Sequence, residues 1–199
     1  MGLKNTQLEY GSVAKWLHWL TALCFLAAYI SVYYGHMFVD LESPQRPTVT
    51  RLHAMFGISV GILFLPRIIW NFINPKPKLD PAPAWQHKAS KVVHWALYFF
   101  ILAMPLSGWL GFGAPSFPFF WLFDMPTFHG SALFSPIVEG WLGMTWEQFE
   151  EPFDYFHKQI GGPWAAWILV MVHAGAGLYH HYVQKDNTLR KMLPYGKVR

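Results

Sequence analysis

Ten histidines occur in this chain of 199 residues, and most of them sit where water is scarce. His18, His53, His94, His173, His180 and His181 lie in or at the ends of long apolar runs, and His157 stands just before the fourth run. An ionisable side chain at membrane depth is costly and marks a functional site by default. Two chemistries suit a neutral imidazole there: an interhelical hydrogen bond, or ligation of a metal through one ring nitrogen. His36, His87 and His129 lie in or beside connections and need neither.

The apolar runs are the elements that must position these imidazoles. A spanning helix needs about 20 mostly apolar residues. Four runs qualify, at about 14–35, 51–73, 91–113 and 163–183, and together they predict one all-α membrane domain over residues 1–199, a transmembrane four-helix bundle. Charged residues are only 13% of the chain and aromatics 19%, which excludes an ordinary soluble composition. Pro66 and Pro105 fall inside spans, where neighbouring helices can satisfy the freed carbonyls. Trp16, Trp70, Trp109 and Trp164 fall near span ends, as interfacial aromatics do. The first run carries His18 and is too long for a signal-peptide core, so it reads as a retained span. Cys24, the single cysteine, reads as a small core residue, which rules out an internal disulfide and cysteine-built zinc or iron–sulfur sites.

Charge orients the bundle. The N-terminus, the 74–90 connection, the C-terminal tail and adjoining span ends carry twelve basic and three acidic residues, against three basic and eight acidic on the other side. The basic side is expected to be cytoplasmic, with both termini, in a bacterial inner membrane. The basic face then answers to topology and anionic lipid, and nucleic acid is not an expected partner. The connection at 114–162 is long and rich in Phe, Trp and Pro. It is expected to fold over the outer mouth of the bundle, with a short interfacial helix near 145–159.

Depth groups the histidines. His18, His173 and His180 fall toward the inner side, and His53 and His157 toward the outer side. One pair at each side fits bis-histidine ligation of a haem at two depths, because haem iron accepts neutral imidazole and bundle cores host cofactors between facing helices. A porphyrin against a helix also needs a small residue about one turn from its ligand. His18, His53, His157 and His173 are followed at four residues by Ala22, Gly57, Gly161 and Gly177, whereas His94 is followed by Tyr98. Gly57 and Gly61 also form a GxxxG pair, whose plainer reading is close helix packing.

The segments "WLHWLTAL" (16–23), "RLHAMFGISVGILFLPRIIW" (51–70), "HWALYFFILAMPLSGW" (94–109) and "VHAGAGLYHHYVQKDNTLRKMLP" (172–194) resemble the bacterial cytochrome b561 family, which is itself similar to the cytochrome b subunits of nickel–iron hydrogenases. The resemblance covers about three quarters of the chain and leaves out most of 114–156. It implies two haem b groups, the inner one held by His18 and His173 and the outer one by His53 and the histidine opening the fourth helix, to which His157 corresponds. His94, His180 and His181 match recurrent family histidines that are not the usual ligands and would assist protons, propionates or quinone. Arg51, Arg67 and Lys15, with Gly57 and Gly177, are candidates for propionate or packing contacts; the alternative for the cations is snorkelling or topology.

One departure stands out. Family members usually separate the two fourth-helix ligands by 14 residues, but here the spacing is 16. In a straight α-helix, sixteen steps leave the ligands about 160° out of phase. "GGP" at 161–163 predicts that His157 belongs to a segment broken from the span. The competing outer ligands are His129 and His36.

Three functions follow as expectations. The first is a di-haem b cytochrome moving electrons across the membrane between the quinone pool, ubiquinone or another quinone, and a periplasmic partner such as a cytochrome c or a dehydrogenase. The acidic "EQFEEPFD" (147–154) would attract a basic partner, or is simply a solvated surface. The second is a superoxide:ubiquinone oxidoreductase, a quinone-linked enzyme. The acidic outer side argues against global steering of that anion, although Arg46, Arg51 and Lys158 could form a local positive pocket. The third is a non-redox helical subunit of a larger complex.

Overall fold

A computed structural model describes residues 2–196 and Val198. Lys197 and Arg199, counted among the inner basic residues, lie outside the described residues. Three long helices come first: α1 (Ser12–Phe38), α2 (Arg46–Ile73) and α3 (Ala84–Leu110). A fourth helical stretch runs without interruption from Trp146 to Gln184, and a short helix, Thr188–Met192, follows it. All four long helices are apolar and long enough to cross a membrane. Large side chains such as Ile69, Phe72, Trp95 and Ile168 point outward, as lipid-facing residues must. Each helix begins before the apolar run read from sequence, because polar residues extend it past its lipid-facing part, whereas α3 stops at Leu110, short of the expected end at 113. Pro47 occupies the first turn of α2, where a missing N–H costs nothing.

α1 and α2 lie side by side, α2 packs on α3, and α3 packs on the fourth helix. The fourth helix meets α1 through large side chains. Tyr29 donates to the Gly162 carbonyl at 2.7 Å, and the Trp167 ring packs on Phe25 and Tyr29.

The fourth helix corrects the expectation of a break at Gly161–Gly162–Pro163. Its 39 residues span about 58 Å at α-helical rise, longer than a bilayer's hydrocarbon core, so one end projects beyond the others. The helix starts at Thr145, whose hydroxyl accepts from Gln148 N–H while the Gln148 side chain accepts from Thr145 N–H, a reciprocal cap. From Phe156 to Ala165 the winding is π-helical. Pro163 lacks an N–H and would crowd an α-helical carbonyl four residues back, and the wider π turn relieves both problems. A Cβ on Gly162 would lie 2.7 Å from the His157 carbonyl oxygen, and one on Gly161 would lie 2.3 Å from Met104 Sδ of α3. The residues that looked like a breaker instead permit a widened helix held against α3.

Each end of the bundle is covered. At the end away from the termini the long connection builds an aromatic cluster around Phe128, Phe134 and Val138, against Trp109, Trp146 and Phe149. Trp109 is therefore part of this cluster, and its Nε1 donates to Pro126 O. The connection also holds a short antiparallel hairpin, β1 (Ser116–Phe119) and β2 (Phe123–Pro126), which the all-α reading did not anticipate. Phe120 and Trp121 at its tip adopt positive φ, and Phe120 is pinned by its N–H to Met55 Sδ and by its ring against Phe56.

At the end carrying the termini, the N-terminal residues, the α2–α3 linker and the tail interlock. Asn5 donates to Pro75 O, Lys78 N–H donates to Gln7 O, and Trp19 Nε1 donates to Met192 O. Lys15, almost wholly buried, pairs with Glu9 at 3.3 Å, and Lys191 pairs with Asp80 at 2.7 Å. Buried cations survive only with such partners.

Candidate functional site: two histidine pairs

The helices bring histidines together at both ends. At the end carrying the termini, the rings of His18 on α1 and His173 on the fourth helix have centroids 6.1 Å apart. At the other end, His53 on α2 and His157 on the fourth helix are 5.9 Å apart. His129 and His36 do not join His53. His129 stacks on Trp146 and donates to or accepts at Gly113, where only a carbonyl is offered, so it donates; His36 is exposed at the end of α1.

The π-helical stretch explains how His157 reaches the same side as His173. Each π turn takes one residue more than an α turn, so ten such residues absorb about two. A spacing of 16 then behaves like about 14 α-helical steps, which leaves the two histidines about 40° from alignment.

The surroundings of the His53–His157 pair fix its ring nitrogens. His53 donates from Nδ1 to the Ala28 carbonyl at 2.8 Å. His157 Nδ1 lies 3.0 Å from Ser107 Oγ; Ser107 gives its own proton to Met104 O, so His157 is the donor. In both rings Nε2 is left with its lone pair, the tautomer a metal ligand needs. The His157 ring lies against Gly108, where a Cβ would come within 2.9 Å of Cε1. Ser107 and Gly108 were not legible from sequence; only their packing against a ring fifty residues away gives them a role.

The His18–His173 pair has different company. Arg67 Nη2 lies 2.9 Å from His18 Nδ1 and, having no acceptor, donates to it. The guanidinium carbon also lies 5.7 Å from the Tyr98 ring centroid, and Asn71 donates to the Tyr98 hydroxyl at 2.6 Å. His94 is a third histidine here, 5.3 Å from His173, with Nδ1 at 3.2 Å from Ser90 Oγ. The small-residue criterion passed over His94 because Tyr98 follows it by one turn, yet Tyr98 is what meets Arg67.

The remaining sequence candidates are dispersed. Arg51 is exposed at the start of α2, and Lys15 is engaged by Glu9 rather than free to meet a ligand. A Cβ on Gly177 would touch only Leu189 Cδ1 at 3.8 Å. A Cβ on Gly57 would meet nothing within 4 Å, whereas one on Gly61 would lie 3.0 Å from Pro105 Cβ. The GxxxG pair therefore splits: Gly61 serves helix packing, and Gly57 faces open space one turn from His53.

At the C-terminal end of the fourth helix, His180 and Asp186 pair at 2.5 Å, and Thr188 N–H also donates to Asp186. Burial pushes the Asp186 carboxyl up, but the bonds from His180 and Thr188 outweigh it and hold the pKa below the ordinary value. Stability gained from such a depressed carboxyl is fully present above the unfolded value of about 3.9 and is lost as pH falls through the lower folded value. Thermal unfolding in detergent should accordingly show Asp186→Asn less stable than wild type at pH 7, with the gap closing at acid pH. A gap of equal size at every pH would contradict this.

Four helices long and apolar enough to cross a membrane, with a histidine pair at each end, have the form of one class of protein, the helical membrane cytochromes. The family model of the prokaryotic cytochrome b561 proteins matches residues 9–195, and the chain belongs to this family. It is 31% identical over 200 residues to cytochrome b561 homolog 1 of Escherichia coli (strain K12), covering 95% of this chain and 99% of that protein. It is 27% identical to cytochrome b561 homolog 2 of the same organism, over 97% and 95% of the two chains. It is also 24% identical to a probable superoxide oxidase of Yersinia pestis, over 94% and 96%.

The family implies haem b, and the residues present fit it. Iron at about 2 Å from each of two imidazole nitrogens separates the ring centroids by about 6 Å. The 6.1 Å and 5.9 Å separations agree with that requirement. Gly57 supplies open space beside His53, and Trp70 Nε1, buried with no partner among the described residues, sits one turn beyond Arg67 as a donor that a carboxylate could meet.

Proposed function

We propose that this protein holds two haem b groups, one between His18 and His173 and one between His53 and His157, and passes electrons across the bacterial inner membrane between the quinone pool and a periplasmic redox partner. The observation that carries the reading is the presence of two imidazole pairs, each at iron-bridging separation, at opposite ends of one bundle. Both termini then lie on the cytoplasmic side, as the charge asymmetry requires.

Haem, held by His18 with His173 and by His53 with His157, would supply one-electron transfer. The chain's own residues do the rest. His53 and His157 are held in ligand tautomer by Ala28 and Ser107. The aromatic cluster and the interlocked termini limit water at the two ends. The acidic start of the fourth helix, with Glu147, Glu150, Glu151 and Asp154 lining an open groove, offers a docking face to a basic electron carrier.

A second reading, a superoxide:quinone oxidoreductase, is supported by the name of the Yersinia pestis relative. The two readings separate in one experiment on purified, haem-loaded protein. Rapid reduction by a basic cytochrome c or a dehydrogenase, with slow reduction by superoxide, is the expected result. Reduction by superoxide near the diffusion limit would instead establish the second reading. Membership of a cytochrome family leaves the non-redox helical subunit without support.

A further inference from the structure

The two histidine pairs differ in what meets the ring nitrogen away from the iron position. At the outer pair, both imidazoles donate from Nδ1 to neutral oxygen acceptors, the Ala28 carbonyl and the Ser107 hydroxyl. Such bonds make an imidazole a more basic ligand and favour ferric iron. At the inner pair a guanidinium sits on His18, 2.9 Å away. Arginine stays charged at any working pH. Among the described residues no carboxylate forms an ion pair with Arg67, whereas Lys15 and Lys191, at the same end of the bundle, are neutralised by Glu9 and Asp80. Arg67 is therefore the fixed charge in contact with a candidate ligand.

We infer that Arg67 makes the inner haem the easier one to reduce, so that electrons run from the outer end of the bundle to the end carrying the termini. This rests on the two-haem reading above. Ferric haem with two neutral ligands carries one more positive charge than ferrous haem, so a cation beside His18 opposes oxidation. A neutral His18 with iron on Nε2 carries its proton on Nδ1 and no longer accepts from Arg67. The charge nevertheless stays at the site, because the guanidinium also lies over the Tyr98 ring, 5.7 Å from its centroid. In balance, two one-electron donors are oxidised at the outer end, and one quinone at the inner end takes up both electrons with two protons to become the quinol. Arg67 is a positioning charge in this scheme, not a catalytic group.

Optical redox titration of the full chain, after haem content has been measured, tests the inference. Two midpoints are expected, and the higher one should survive in His53→Ala, which keeps only the inner haem. Arg67→Gln should lower that midpoint alone, changing its ferrous-to-ferric ratio at a fixed potential by about tenfold or more, while Arg67→Lys should preserve it. Loss of the higher midpoint in His53→Ala would overturn the inference, as would an Arg67→Gln protein with both haems and unmoved or equally moved midpoints. If the glutamine variant sheds its inner haem, the wild-type and His53→Ala titrations decide alone. A wild-type protein carrying a single haem would instead sink the two-haem reading before any midpoint is taken.

Discussion

His157→Ala is expected to remove one low-spin haem and leave the other, with the helix intact. The imidazole is the only part of residue 157 aimed at His53, whereas the backbone there is held by the π-helical turn and by Met104 packed on Gly161. The inner pair draws on α1 and the far half of the fourth helix, so its iron should keep both ligands. Haem extraction and the reduced spectrum read the outcome directly. Retention of both low-spin haems would show that another side chain completes the outer site, and His129 and His36 would then return as candidates. Unfolding is not the expected cause of the loss. Truncating a partly buried imidazole to alanine also removes its bond to Ser107, which costs on the order of 1 kcal/mol in a helix anchored along much of its length.

Gly57→Leu is expected to remove the outer haem by a different route, with every ligand present. A side chain at this position meets no protein atom within 4 Å at its first carbon, so the polypeptide has room for it. Glycine inside a helix costs up to about 1 kcal/mol relative to a good helix former, so the haem-free variant should be at least as stable as haem-free wild type. The space is available only if no porphyrin edge lies against it. The comparison is Gly61→Leu, whose side chain would run into Pro105 from 3.0 Å and should cost about 1–3 kcal/mol through overpacking. Haem content and thermal unfolding on the two variants separate cofactor space from helix packing. A full haem complement in Gly57→Leu would return that glycine to the role of an unused small residue.

Much of the fold was legible because membrane insertion leaves few choices. A run of twenty apolar residues must be a helix, since hydrocarbon offers no other partner for backbone polar groups. His18, His53 and His173 stood out as candidates for the same reason: an imidazole within such a run needs a partner. The long connection at 114–162 gave less. Its aromatic content foretold a packed cover, but not the β1–β2 hairpin, whose tip depends on Met55 and Phe56 of α2. Lys15 read as a candidate for a propionate contact, with snorkelling or topology as the alternative, yet Glu9 engages it, because the N-terminal residues fold back over α1.

By itself, then, the sequence determined the number of apolar helices, the charge asymmetry between their ends and the depth of each histidine. Those follow from composition and position along one chain. Tertiary structure alone decided how Gly161–Gly162–Pro163 behaves. The same three residues serve a break or a widened helix, and packing of Met104 together with the Tyr29 hydroxyl on the Gly162 carbonyl favours continuity. It alone placed Ser107, Gly108, Tyr98 and Arg67 against the histidines, since their contacts cross between helices distant in sequence. The physical reason is one of range: partition into a membrane acts on each segment separately, but the neighbours of a ring nitrogen are set by how the segments pack.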